Sequence, residues 1–105
     1  MIQHIVLVRF PRALEPAEEK EFRGHIESWP SEIAELKRIR LGSSIFNQWT
    51  EGYQYLLYLE MTDLDAAQRY LQHPAHLAFG AWAAGLGANF LVFNYALDDA
   101  TQILS

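Results

Sequence analysis

Three stretches of this 105-residue chain are apolar on both faces of a period-two alternation, and nothing else restricts the fold as much. In residues 2–10 one face carries Ile2, His4, Val6, Val8 and Phe10, the other Gln3, Ile5, Leu7 and Arg9. In residues 53–61 the faces are Tyr53, Tyr55, Leu57, Leu59, Met61 and Gln54, Leu56, Tyr58, Glu60. In residues 88–95 Phe90 and Val92 oppose Leu91 and Phe93. Such β-branched and aromatic runs read as strands. An antiparallel sheet wetted on one side would alternate apolar with polar, so both faces of this sheet need a cover.

Helical periodicity supplies a cover for one face only. A helix opening at Pro16, with Glu18, Glu19 and Glu21 near its positive end, carries Phe22, Ile26 and Trp29 at i, i+4, i+7. Pro30 is expected to stop it, with residues 31–36 adding a turn or two. Residues 39–46 read as a weaker strand whose Gly42 and two serines suit an edge or a bulge. A loop at 47–52 follows. Thr62 and Asp65 form a capping-box-like pair opening a helix through Leu64, Ala67 and Leu71. After Pro74 a helix of small residues runs until Gly85 and Gly87, and residues 97–105 form a polar-leaning tail.

The order β-α-β-β-α-β predicts an α+β, ferredoxin-like protomer in a single domain spanning 1–105: an antiparallel four-stranded sheet with helices on one face. The face left over is an association surface, and a homodimer through the open sheet face is expected. The formal charge of −5 argues against nucleic acid and against an anionic membrane surface. With no cysteine there is no disulfide, thiolate nucleophile or Cys-based metal site. No apolar run approaches the ~20 residues of a membrane span, and no basic leader precedes the first strand. A cytoplasmic location is the expectation.

The chemistry concentrates in residues 70–79, Tyr-Leu-Gln-His-Pro-Ala-His-Leu-Ala-Phe. Pro74 pushes His73 out of helical conformation and is itself at home in a helix's first turn. Tyr70 is therefore expected to end one helix and His76 to open the next, bringing a phenol and an imidazole to one corner. At a helix N-terminus the positive dipole end favours a neutral, basic His76. From a reference pKa of about 6.5 that suits a general base. Tyr70 would donate its proton to a developing oxyanion. His4 shares its strand face with Val6, so it too should point under the helices. A cavity lined by His4, Val6, Leu57, Phe79 and Trp82 is expected there. The competing reading makes Tyr70 and His76 a structural hydrogen bond across the Pro74 joint, His4 a satisfied core histidine and His73 a helix cap. It predicts no hollow at the corner. No metal is expected, because the proline breaks the register that pairs ligands and no acid stands at ligand spacing. A haem on His76 would rest on fold analogy alone, and no cofactor is expected.

With its opening His-Ile-Val-Leu-Val-Arg-Phe, the Glu51-Gly52-Tyr53 lead-in and the His73-Pro74-Ala75-His76 element, the chain resembles the stress-responsive dimeric α/β-barrel (Dabb) family over nearly its whole length. The resemblance implies a ferredoxin-like protomer whose sheet pairs with a partner's to close a barrel. It also implies chemistry like that of the family's plant polyketide cyclases, which close a poly-β-ketone by a cofactor-free aldol condensation. Their tyrosine and second histidine match Tyr70 and His76, and a cavity histidine matches His4. Those cyclases carry a further histidine two residues after the Gly-Tyr tyrosine, where this chain has Tyr55. The function expected is a cofactor-free acid–base enzyme on a small apolar carbonyl compound. The alternative is a non-catalytic dimeric module that serves in stress or binds a small hydrophobic ligand.

Overall fold

The computed structural model describes residues 1–104. Its strands are β1 (Ile2–Arg9), β2 (Leu36–Ser43), β3 (Tyr55–Met61) and β4 (Asn89–Ala96). Its helices are α1 (Pro16–Glu32), α2 (Leu64–Gln72) and α3 (Pro74–Gly85), and a single 3-10 turn follows at Leu97–Asp99. The sheet order is β2-β3-β1-β4 with every neighbouring pair antiparallel. This is the ferredoxin-like α+β arrangement.

Register explains the two faces. Val6 stands opposite Leu57 on one side and Val92 on the other, and His4 opposite Leu59 and Asn94. These residues share the helix-covered face, as do Val8 and Tyr55. The core between sheet and helices takes Val6, Val8, Phe10, Leu57, Leu59 and Met61 from the strands and Phe22, Ile26, Trp29, Tyr70 and Phe79 from the helices. The open face is graded. Its far row is polar (Arg38, Glu60, Gln3, Tyr95), the next is mixed (Arg40, Tyr58, Ile5, Phe93), and the row nearest the β2–β3 loop is apolar, with Leu56, Leu7 and Leu91. Phe93 is 66% exposed and Leu91 54%.

Several boundaries differ from expectation. Pro30 lies inside α1, which continues to Glu32 and closes with the Ile33 N–H donating to the Trp29 carbonyl. A proline removes only one helical hydrogen bond, and here it does so one turn from an end. Strand β2 lies three residues earlier than expected and pairs through an irregularity between Leu36 and Arg38, consistent with its edge position. The apolar Ile45 and Phe46, read as strand, are instead exposed in the following loop. Strand β3 starts at Tyr55 rather than Tyr53. The cap of α2 is Asp63, whose carboxylate accepts from the Ala66 N–H at 2.8 Å, one residue after the expected Thr62. Gly87 is the glycine required after α3. Its φ of +79° is left-handed, and a Cβ there would meet Pro11 Cγ at 2.9 Å.

Candidate active site

The Pro74 joint has the expected form with a tighter construction. Helix α2 runs two residues past Tyr70, and His73 alone separates it from α3. His73 is extended (φ −65°, ψ 138°), as the residue before a proline prefers. It closes α2 through its N–H to the Tyr70 carbonyl (3.1 Å) and opens α3 by accepting from the Ala75 N–H at Nδ1 (3.1 Å). One residue thus caps both helices.

That joint sets Tyr70 against His76, with ring centroids 4.5 Å apart, and His4 stands edge-on to Tyr70 at 5.6 Å. All three border a cavity of about 270 Å³ between the sheet and α2–α3. Val6, Leu57 and Phe79 complete its inner wall, and Leu71, Gly80, Phe90 and Val92 line it toward β4. A larger cleft of about 470 Å³ lies beneath the β2–β3 loop and contains no histidine or acid. Size therefore does not mark the chemically equipped hollow.

Trp82, expected in the lining, is absent from it. From His76 six residues along α3 turn the side chain about 240° around the axis, so Trp82 faces α1. It lies 5.4 Å from the His25 ring and stacks on Phe22. Tyr55 is also elsewhere, packed with Phe10 and Phe22 and donating its hydroxyl to Glu19 at 3.3 Å. Conversely Asn94, Leu71, Gly80, Phe90 and Val92 carry no motif. Only the β1–β4 register, which sets Asn94 opposite His4, would have drawn attention to that asparagine.

Hydrogen bonding fixes the proton positions. His76 Nδ1 lies 3.0 Å from the Leu71 carbonyl oxygen, which can only accept, so Nδ1 carries the proton and Nε2 keeps a lone pair. His4 Nδ1 likewise donates to Asn94 Oδ1. Both imidazoles have their pKa lowered from 6.5, chiefly by burial; for His76 the nearby His4 adds to the effect. Burial thus favours a neutral His76, which also sits in the first turn of α3 as expected. The Tyr70 phenol is pushed far up by burial alone, with no hydrogen-bond or charge partner contributing. At neutral pH the corner holds two imidazoles with free lone pairs and one protonated phenol, so its base and acid are separated by environment. Tyr70 and His76 do not bond to each other. The His76 Nδ1–H instead reaches across the joint to the Leu71 carbonyl of α2, so His76 does tie the two helices together as the structural alternative expected of it. A hollow lies at the corner, which that alternative did not expect.

These lowered values have a stability consequence. An unfolded histidine near 6.5 binds its proton more tightly than the buried one does, so acidification favours unfolding. The contribution of His4 and His76 is fully present above pH 6.5 and is lost as pH falls through their lower folded values. Melting temperature is expected to drop between pH 7 and 5, and the slope to flatten in a His4→Gln variant. An unchanged slope in that variant would contradict the assignment. Among the described residues, no group of three His, Asp or Glu is placed to hold a metal ion, and no helix is long and apolar enough to cross a membrane.

Fold and site together define a ferredoxin-like α+β domain with a histidine–tyrosine cavity under its helices. The model of the stress responsive A/B barrel domain matches residues 2–97, and the chain belongs to that family. It is 23% identical over 95 residues to olivetolic acid cyclase of Cannabis sativa, covering 90% of this chain and 94% of that protein. Among solved structures, a dimeric ferredoxin-like protein of unknown function from Thermobifida fusca superposes with a TM-score of 0.76 at 25% identity, over 91% of this chain and 90% of that one. Hydroxynitrile lyase from Passiflora edulis reaches 0.82 at 14% identity over 96% of each chain, a likeness of fold.

Proposed function

We propose that this protein is a cofactor-free acid–base catalyst acting on a small apolar carbonyl compound, in aldol chemistry of the polyketide-cyclase kind. The observation that carries the proposal is the shared hollow: His76, whose Nδ1 is tied to the Leu71 carbonyl, and Tyr70, whose hydroxyl has no hydrogen-bond partner, both line one mostly apolar cavity. In the step envisaged, His76 Nε2 removes a proton α to a ketone and the Tyr70 O–H donates a hydrogen bond to the enolate oxygen that forms. The enolate carbon then attacks a second carbonyl of the same molecule. One C–C bond forms, the C=O π pair moves to oxygen, and the imidazolium returns its proton to that alkoxide. His4 hydrogen-bonds the ligand from the sheet side. The family's cyclase member supports this reading.

The test is proton exchange in deuterium oxide at the α-carbons of linear β-diketones, followed by NMR. Exchange is expected to accelerate with enzyme, to saturate in diketone, and to fall as pH drops below the His76 pKa. No acceleration over buffer would refute the catalytic reading, and saturable binding without exchange would establish a hydrophobe-binding module in its place.

The working unit proposed is a homodimer joined through the open sheet face, in keeping with the dimeric state of structural neighbours. Leu56, Leu91 and Phe93 form an apolar patch where a lone sheet would meet water. Phe93→Glu is expected to halve the mass seen by sedimentation equilibrium at micromolar concentration. A wild-type chain that sediments as a monomer would rule this out.

A further inference from the structure

We infer that residues 98–104 of one copy lie along β2 of a second copy of this chain. Asp98 and Asp99 stand beside Arg38 and Arg40 of the partner subunit, and Ile103 and Leu104 enter the partner's cleft beneath the β2–β3 loop. The inference rests on the homodimer proposed above and adds a contact outside the patch of Leu56, Leu91 and Phe93.

Two apolar features of the protomer lack a counterpart. One is the segment after β4, which lies beyond residues 2–97, the span matched to the family. Its Ile103 and Leu104 are 92% and 90% exposed. The other is the cleft of about 470 Å³. Leu7 and Leu56 of the open face line it, together with Ile45, Phe46 and Trp49 of the loop, all three exposed. Apolar surface of this extent on both features marks sites of association.

Topology brings the two features together. Strands β2 and β4 are the edges of the sheet, and Leu36, Met61, Ile2 and Ala96 form one row across it. A two-fold axis parallel to the strands, between two open faces, lays β4 of one copy over β2 of the other with their rows level. The chain then leaves β4 at the level where the partner's β2 begins. The 3-10 turn Leu97–Asp99, tied by the Leu97 N–H to the Met1 carbonyl, takes it out of the β4 direction. Along β2, Arg38, Arg40 and Gly42 follow one another on the open face and lead to the cleft. The lengths agree. Four residues separate Asp99 from Ile103, and four separate Arg40 from Ser44 in the cleft wall, roughly 13 Å of extended chain in each case.

Charge selects this axis. Arg40 is exposed and forms no ion pair among the described residues, and Arg38 meets Glu60 only at 3.8 Å. Asp98 and Asp99 are exposed too. An axis across the strands would instead stack β2 on β2 and set Arg40 of both copies face to face, an arrangement that like charges oppose.

The chain has no cysteine, so a disulfide can report the contact. Ser44→Cys/Leu104→Cys protein is oxidised at micromolar concentration and run on a non-reducing gel. A covalent dimer is expected, and neither single variant should link. A bond closed within one chain would make the occupant the protomer's own segment and overturn the inference, as would no bond. Sedimentation equilibrium gives the second readout. Ile103→Ser/Leu104→Ser should raise the dimer dissociation constant by about tenfold or more. Arg40→Asp and Asp99→Arg should each raise it several-fold, and the two together should return it to within about twofold of wild type. These positions are exposed, so melting of the protomer should hold in every variant. Unchanged affinity in the serine variant, or a charge swap that restores nothing, overturns the inference and leaves the sheet-face dimer standing. A monomeric wild type would remove both.

Discussion

His76→Ala is expected to slow α-proton exchange of a bound β-diketone by about 10²- to 10⁴-fold, the usual worth of a positioned general base. The argument is local. His76 Nδ1–H is anchored on the Leu71 carbonyl, so the ring cannot rotate to offer its other nitrogen, and burial keeps Nε2 unprotonated at neutral pH. Alanine removes the only lone pair held this way on α3. Tyr70→Phe keeps the ring that packs on His4 and Trp29 and loses only the hydroxyl; a loss of about 10²-fold would match one oxyanion donor. Because the two groups act in one step, the double variant should lose less than the product of the single losses. A folded His76→Ala protein that exchanges at the wild-type rate would end the acid–base account.

Trp29→Ala is expected to be the most damaging single change to stability, at about 3–5 kcal/mol. Trp29 is fully buried on α1, with Tyr70, His76 and Phe79 rings within 6.0 Å. Such a loss is a large fraction of the ~5–15 kcal/mol that holds a domain together. Its indole N–H is buried without an acceptor. Trp29→Phe should therefore cost distinctly less, since it removes that unpaired donor while keeping most of the ring. Urea midpoints of the two variants measure the contrast. A Trp29→Ala cost below about 1 kcal/mol would mean that the wall behind the reactive corner is not the packing centre described here.

The fold was legible because period two is a strong signal. Once Ile5 and Leu7 were seen opposite His4, Val6 and Val8, three two-faced strands and two helical segments left few arrangements. The errors fell where local signals compete. Pro30 reads as a stop, but a helix two residues from its end tolerates the lost bond. Ile45 and Phe46 read as strand because they are apolar, while the true edge strand uses Lys37, Arg38 and Arg40, charges that suit an edge. At the site, Tyr70, His76 and His4 were visible through the proline that joins two helices and the alternation of β1. The rest of the cavity was not. Asn94 enters through long-range register and leaves no local trace. Trp82 is near His76 along the chain but on another face of α3, against Phe22 and His25.

The double duty of His73 has an architectural result. A joint with a single residue at its vertex, bonded to the helix on either side, behaves as a bracket of fixed angle and has no slack to absorb a change in spacing. Inserting one residue there would swing the imidazole by about 100° about the axis of α3, away from the phenol. The backbone itself thus holds the two rings against each other, with no ligand needed to set their spacing.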